Sequence, residues 1–273
     1  MSYKISRRRA LAGLSATAAL PLLGCTSAEE RAEQAANLFA HGVASGDPAP
    51  DSVVLWTRIS GTEGSVQGKW QVAADNEFKE LVAEGDFRTD SSRDMTVKVI
   101  PGQLPPGERL YYRFAVGKLV SPTGRTRTLP SGHVEKLGIA VASCSNYPFG
   151  YFNAYETIAL DPAVDLILHL GDYIYEYGTD GYGGETGRKL GRNHQPLHET
   201  ASLADYRQRH AQYKADPQSR VMHAAHPLVA IWDDHESANN AWKAGAENHQ
   251  SESDGDWSER RRASLQAYYE WMP

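Results

Sequence analysis

The sequence predicts a mixed fold in which a β-sandwich domain at residues 38–130 is followed by an α/β domain at residues 136–273. Residues 38–130 contain short β-rich runs separated by proline- and glycine-containing turns, a spacing typical of an antiparallel sandwich. From residue 136, apolar runs of strand length alternate with helical patterns, as in βαβ units. A hydrophobic content of 41% and a charged content of 23% are ordinary for a globular protein of 273 residues.

Residues 1–27 have the order of a bacterial export signal. Three arginines, Arg7–Arg9, precede the apolar stretch Ala10–Leu23, and the paired arginines favour the twin-arginine export machinery. The sequence around Cys25 is similar to a lipoprotein cleavage site, which would place a lipid anchor on Cys25; cleavage near Ala28 is the alternative. We therefore expect a periplasmic or extracellular protein, with or without the anchor.

The first domain is predicted to follow a polar tether at residues 28–37. Its segment Gln103–Phe114, a proline-glycine turn followed by alternating tyrosines and arginines, is similar to immunoglobulin-like or fibronectin type III domains. No catalytic constellation is evident there. The predicted strands are Val53–Ile59, Trp70–Ala74, Met95–Ile100, Leu110–Val116 and Thr126–Leu129.

The second domain is predicted to contain three buried strands and several helices. A glycine-rich segment, Gly178–Gly191, is expected to be a flexible rim. The strands are Leu137–Ala142, Asp165–Leu170 and Pro227–Ile231; the helices are Gly150–Leu160, one from about Leu203 to Tyr213, Gln218–Ala225, and one that Asp256 or Ser258 caps and that runs through Tyr269. The continuous apolar run at Leu166–Leu170 indicates a strand covered on both faces.

The net charge of −6 argues against a nucleic-acid-binding surface, because phosphate backbones require a basic face. A surplus of acidic residues is instead compatible with bound cations.

The three predicted strands end in Cys144, in Gly171-Asp172 and in Asp233-Asp234-His235. If the strands are parallel neighbours, these side chains meet at one edge of the sheet. Together with Tyr175, they would provide thiolate, phenolate and carboxylate ligands for a strongly Lewis-acidic metal and for a harder, oxygen-loving cation. The sequence therefore predicts a metal centre in which His235 could protonate a leaving group.

Each signal also has a structural alternative. Cys144 could be a small buried hydrophobe, Tyr175 a packed aromatic, and Asp172 a helix cap. The acids of Asp233–Glu236 could complement the dipole at a helix N-terminus.

Several motifs, taken together, closely resemble the alkaline phosphatase D family of metallophosphoesterases, which is related to purple acid phosphatases. They are His41–Pro48, Val53–Arg58, Ser143-Cys144, Gly171–Glu176 and Trp232–Glu236 with Asn239-Asn240. The resemblance implies an immunoglobulin-like domain followed by an α/β metallophosphoesterase sandwich. It also implies an exported, alkaline phosphatase-type hydrolase of phosphate monoesters, with diesters as further candidates, that acts through metal-activated hydroxide.

The resemblance also implies a ligand set. Cys144, Asp172 and Tyr175 would hold Fe3+; Asp172 would bridge to Ca2+, with Asp234 as a further calcium ligand and Asp233 as the other candidate. His235 would face the phosphate as the catalytic residue. Because family members continue beyond residue 273, we expect a chain truncated at its C-terminus, with an incomplete sandwich.

Two other functions remain open at this stage. One is a phosphodiesterase or phospholipase D-like enzyme that uses the same metals. The other is an inactive, truncated surface lipoprotein whose sandwich domain is a binding module, which would fold by itself as residues 38–130.

Overall fold

The computed structural model describes residues 27–273, so the predicted export signal and Cys25 lie outside the described residues. The described part contains eleven strands and seven α-helices. The strands are β1 (Val43–Gly46), β2 (Val54–Arg58), β3 (Val66–Ala73), β4 (Leu81–Thr89), β5 (Thr96–Val99), β6 (Arg109–Val116), β7 (Leu119–Val120), β8 (Gly124–Arg127), β9 (Ile139–Ala142), β10 (Leu166–His169) and β11 (Leu228–Ala230). The helices are α1 (Ala28–Leu38), α2 (Asn153–Leu160), α3 (Gly184–Leu190), α4 (Leu203–Ala215), α5 (Pro217–Ala225), α6 (Ser251–Asp254) and α7 (Trp257–Trp271).

Residues 28–38 form helix α1, so the prediction of a polar tether at this place was wrong. The Ser27 side chain accepts from the backbone N–H of Glu30, and the Glu30 carboxylate accepts from the backbone N–H of Ser27 at 2.7 Å. This capping box satisfies two N–H groups at the start of a helix rich in alanine and glutamate, which are good helix formers. The predicted rim at 178–191 likewise contains helix α3.

The N-terminal segment forms two antiparallel layers. One layer is a sheet with the order β4-β3-β6-β7, to which β8 adds by pairing with β6; the other contains β5, β2 and β1. Leu55 and Val97 of one layer pack with Val72, Phe87 and Phe114 of the other in a single hydrophobic core. The sequence did not predict β4, because its exposed face carries charged residues and its inner face includes the small residues Ala83 and Gly85.

The second layer continues into the α/β segment, giving a six-stranded sheet with the order β5-β2-β1-β11-β10-β9. Strands β9, β10 and β11 are parallel neighbours, which confirms the arrangement predicted for the three strand ends. Strand β1 joins them through one parallel pairing, Gly46 with Leu228. A Cβ at Gly46 would lie 2.8 Å from the carbonyl oxygen of Leu228, so only glycine permits this close approach.

Side chains of the α/β helices cover one face of β9–β11. Ile167 and Leu228 point into a core with Tyr206, Met222 and Ala267. On the other face, apolar side chains remain exposed by about half: Ile139 48%, Val141 59%, Leu170 48% and Ile231 59%. Within the described residues, Asp165–Leu170 is covered on one face only, so the prediction of cover on both faces does not hold. The open apolar face agrees with the expected incomplete sandwich.

Further contacts join the two segments. Trp56 of β2 packs against Trp271 of α7 and donates its indole N–H to the carbonyl oxygen of Glu270 at 2.8 Å. Arg127 of β8 forms an ion pair with Asp165, at the start of β10. Within residues 27–273, no helix has the length and apolar character needed to cross a membrane.

Candidate metal centre

The loops that follow β9 and β10 are bonded to each other through their backbones. The N–H of Cys144 donates to Gly171 at 3.2 Å, and the N–H of Ser145 donates to Asp172 at 3.0 Å. Cys144 and Asp172 both have left-handed backbone conformations, with φ of 57° and 54°. Such conformations are unfavourable for most residues other than glycine and are enriched at functional sites, because surrounding contacts must maintain them.

Asp172 lies at the centre of the candidate site. One potential ligand atom from each of Asp172, Asp234 and His235 lies within 4.8 Å of the other two. The Oδ2 atom of Asp172 accepts from the Tyr175 hydroxyl at 3.2 Å, whereas its buried Oδ1 has no hydrogen-bond donor among the described residues. Burial raises the pKa of Asp172, and the nearby Asp234 carboxylate raises it further. A buried carboxylate oxygen without a donor is expected where a cation binds.

Tyr175 connects Asp172 with the imidazole of His235. Its ring stacks on His235 with a centroid distance of 4.3 Å and an interplanar angle of 29°. Burial, followed by the neighbouring Asp172 and Cys144, raises the pKa of the Tyr175 hydroxyl. Cys144 is solvent-exposed and adjoins that hydroxyl, but it lies outside the group formed by Asp172, Asp234 and His235.

Glu236 anchors the loops after β10 and β11 to each other. Its carboxylate accepts from the backbone N–H groups of Asp172 at 3.0 Å, Tyr173 at 2.5 Å and Asp233 at 2.7 Å. Burial raises the pKa of Glu236 to about 7, even though the three donors act in the opposite direction. The sequence analysis did not identify this role, because it depends on contacts across more than sixty positions of the chain.

Asp233 and Asp234 have different surroundings. The exposed Asp233 carboxylate accepts from the backbone N–H of Asp234 at 3.0 Å. The Asp234 carboxylate accepts from the N–H of His235 and belongs to the cluster with Asp172. Of the two candidates, Asp234 is thus the one placed beside Asp172.

The helix-cap alternatives for these acids are wrong. No helix begins at Asp172, because the first α-helix after it is α3, which starts at Gly184. Residues 233–236 lie in a loop with a turn at residues 235–237, and no helix begins there. Residues 172–176 are also not helical, and the Glu176 carboxylate is hydrogen-bonded to Nδ1 of His235 at 2.8 Å.

The imidazole of His235 is surrounded by acidic groups. Burial lowers its pKa, but the hydrogen bond from Nδ1 to Glu176 and the charges of Glu176, Asp172 and Asp234 raise it above its usual value on balance. A protonated ring at this position would be a proton donor. The Glu176 contact could not be read from the sequence, because the two residues are 59 positions apart.

An open cavity of about 470 Å³ adjoins the cluster. Asp233 and Asp234 line one side, and Trp232, Lys243 and Arg261 also contribute to its wall. The two basic side chains provide positive charge near an acidic centre, an arrangement that suits an anionic ligand approaching bound cations.

The donor set fits the predicted metals. Carboxylates, a phenol and a thiol favour strongly Lewis-acidic ions, and carboxylate oxygens favour calcium. Within the part of the chain that the structure describes, Oδ1 of Asp172 has no hydrogen-bond donor, which suits an oxygen that would bind a cation.

Comparisons with known proteins agree with the resemblance seen in the sequence. Residues 139–273 match the family described as PhoD-like phosphatase, and residues 24–130 match its N-terminal domain. The chain is 43% identical over 245 residues to alkaline phosphatase D of Bacillus subtilis (strain 168), covering 86% of this chain and 41% of that protein. It also matches a solved structure titled "Structure of PhoD", with a TM-score of 0.81, 43% identity and coverage of 87% of this chain and 46% of the other.

The chain thus spans less than half the length of both relatives. The residues matched by the two family models include every predicted ligand and the strands of both sheets. Two family matches that together cover most of the sequence, and a fold shared at 43% identity, lead to one conclusion: the chain belongs to the PhoD-like phosphatase family.

Proposed function

We propose that this chain belongs to a metal-dependent phosphatase that hydrolyses phosphate monoesters. The observation that carries the proposal is the cluster of Asp172, Asp234 and His235, in which a buried Asp172 oxygen has no donor among the described residues. The name of the Bacillus relative, alkaline phosphatase D, supports the same reaction class.

In this proposal Cys144, Asp172 and Tyr175 hold Fe3+, and Asp172 and Asp234 hold Ca2+. When bound, such cations act as Lewis acids that polarise a phosphoryl oxygen and increase the acidity of water. The chain must fix the positions of the metal-ligating side chains even when no ion is bound. Glu236 does so by binding the backbones of both ligand-bearing loops.

His235 is proposed as the proton donor. Its Nδ1 is bonded to Glu176, so Nε2 is the nitrogen that can direct a proton to the oxygen of the departing alcohol. Lys243 and Arg261, which line the adjoining cavity, are placed to attract the anionic ester.

We further propose export by the twin-arginine pathway, a lipid anchor at Cys25, and a division into domains at 38–130 and 136–273. Phosphodiesters are the second candidate substrates. The volume of the cavity, about 470 Å³, favours neither ester, because it accepts both.

The test measures metal content and hydrolysis in the same preparations. Asp172→Asn should lose bound metal and turnover of an aryl phosphate monoester, and Cys144→Ala should lose mainly iron. Asp161→Asn is a matched control, since Asp161 caps the end of helix α2 at the surface and is not a member of the cluster. Metal content unchanged in Asp172→Asn, measured by mass spectrometry, would reject the proposed centre. A matched diester that is hydrolysed faster than the monoester would favour the second candidate.

A further inference from the structure

Glu176 is a completely buried carboxylate beside the candidate site. It accepts three hydrogen bonds, all from the segment 235–248. Its Oε2 accepts from Nδ1 of His235 at 2.8 Å, and its Oε1 accepts from the backbone N–H of Asn239 at 2.6 Å and from the side-chain amide of Asn248 at 2.8 Å. Oε2 thus binds His235, whereas Oε1 binds the two asparagines.

We propose that Glu176 is the positioning residue of His235, which fixes the ring in the Nδ1–H tautomer and leaves Nε2 facing the ester. This inference rests on the proposed function, because it assigns a purpose to the orientation of His235. A fixed tautomer is required of an acid-base histidine, since the bond made by one nitrogen decides what the other can do.

Two further contacts restrict the ring. The Tyr175 ring stacks on one face at 4.3 Å, and the Tyr177 ring lies at 5.5 Å with an interplanar angle of 54°. With its face covered and its Nδ1 edge bonded to Glu176, the imidazole cannot rotate without breaking a buried hydrogen bond, which costs about 1–3 kcal/mol. The stack determines the plane of the ring, and Glu176 determines which nitrogen points outwards.

A single substitution, Glu176→Gln, should keep the acceptor for the two asparagines and replace the acceptor for His235 by a donor. Asn239 and Asn248 both need an acceptor at the Oε1 position, so the one amide oxygen of glutamine should lie there. The amide NH2 group then occupies the Oε2 position and donates to Nδ1 of His235. Since Nδ1 can accept only when it carries no proton, the proton should move to Nε2. We therefore expect a reversal of the tautomer with the same shape of side chain.

The matched control is Glu199→Gln. Glu199 also accepts from Asn248, at 3.0 Å, and forms an ion pair with Arg260, but it does not contact His235. The Glu199→Gln variant therefore perturbs the same buried hydrogen-bond network but keeps the hydrogen bond between Glu176 and Nδ1 of His235.

The experiment is 15N–1H correlation NMR of the histidine ring nitrogens in the full chain, at a pH above the titration of His235. The chain has ten histidines, and the His235→Ala variant identifies the signal of interest. Wild type and Glu199→Gln should show the Nδ1–H form, and Glu176→Gln the Nε2–H form. In active preparations, kcat of Glu176→Gln should fall by about 10²–10³-fold with little change in KM.

The inference is overturned if wild-type His235 has the Nε2–H form, or if Glu176→Gln keeps the Nδ1–H form. The wild-type measurement alone remains decisive if the variant does not fold. A wild-type chain that has the Nδ1–H form but no turnover with added iron and calcium would contradict the proposed function while leaving the positioning role intact.

Discussion

Replacing Gly171 by alanine should disturb the candidate metal centre without touching any ligand. Gly171 has a φ of 100°, and a Cβ there would lie 2.6 Å from both Cβ and the backbone nitrogen of Asp233. Restoring an ordinary contact of 3.4 Å requires a movement of roughly 0.8 Å between the loop of Asp172 and the loop of Asp233 and Asp234. The backbone conformation costs about 1–3 kcal/mol and the overpacking about 1–3 kcal/mol, so we expect a loss of about 2–6 kcal/mol in the free energy of unfolding.

The same movement should weaken metal binding, because metal–ligand distances tolerate only about 0.2 Å. Urea denaturation followed by circular dichroism gives the stability, and calorimetric titration gives the metal affinity. Gly255→Ala is the control: Gly255 has a φ of 80°, but no atom lies within 4 Å of its added Cβ. Equal losses of stability in both variants, with unchanged metal affinity in Gly171→Ala, would refute the close contact between the two loops as the cause.

Three other perturbations test buried polar groups. Glu236→Gln replaces an acceptor of three backbone N–H groups by one oxygen and one opposing donor, so denaturation should show a loss of about 2–4 kcal/mol; a loss below about 0.5 kcal/mol would contradict this role. Burial lowers the pKa of His169 from 6.5 to about 4, so the unfolded chain binds a proton that the folded chain does not, and stability should fall by about 3 kcal/mol as the pH decreases across this interval. Because burial also lowers the pKa of His41, His194 and His210, His169→Gln should remove only the contribution of His169 to this pH dependence, and an unchanged slope would count against it. Burial also holds the pKa of Lys214 well below its usual range, so Lys214→Met should be at least as stable at neutral pH, with a gain that shrinks as the pH rises; a less stable variant would show that the amine is stabilising.

The arrangement of the three parallel strands could be predicted because it depends on local patterns. Apolar runs end abruptly at Gly171-Asp172 and before Asp233, and right-handed βαβ connections place such ends on one edge. The structure brings Asp172, Asp234 and His235 together at that edge, with Tyr175 bonded to Asp172. The identity of the bound ions stays a prediction.

What the sequence did not reveal depends on distant partners. Glu176 and Glu236 look like ordinary acids in a polar stretch, and only the fold shows that each accepts three hydrogen bonds within the site. Strand β4 was missed because its exposed side chains hide the alternation of Phe87 and Thr89 towards the interior. The apolar pattern of Asp165–Leu170 alone predicted cover on both faces, whereas the family resemblance implied the incomplete sandwich with which the exposed face of β9–β11 agrees.

The pairing of Gly46 with Leu228 has a consequence for how the protein unfolds. Because one sheet runs through both segments, and Trp56 and Trp271 pack across the junction, melting either segment removes hydrogen bonds and apolar contacts from the other. The protein should therefore melt in a single calorimetric transition, and residues 38–130 alone should lose stability because the edge of β1 would be left unpaired. Cations that bind to the loops after β10 and β11 would then protect the distant sandwich against heat and proteases, although they never touch it.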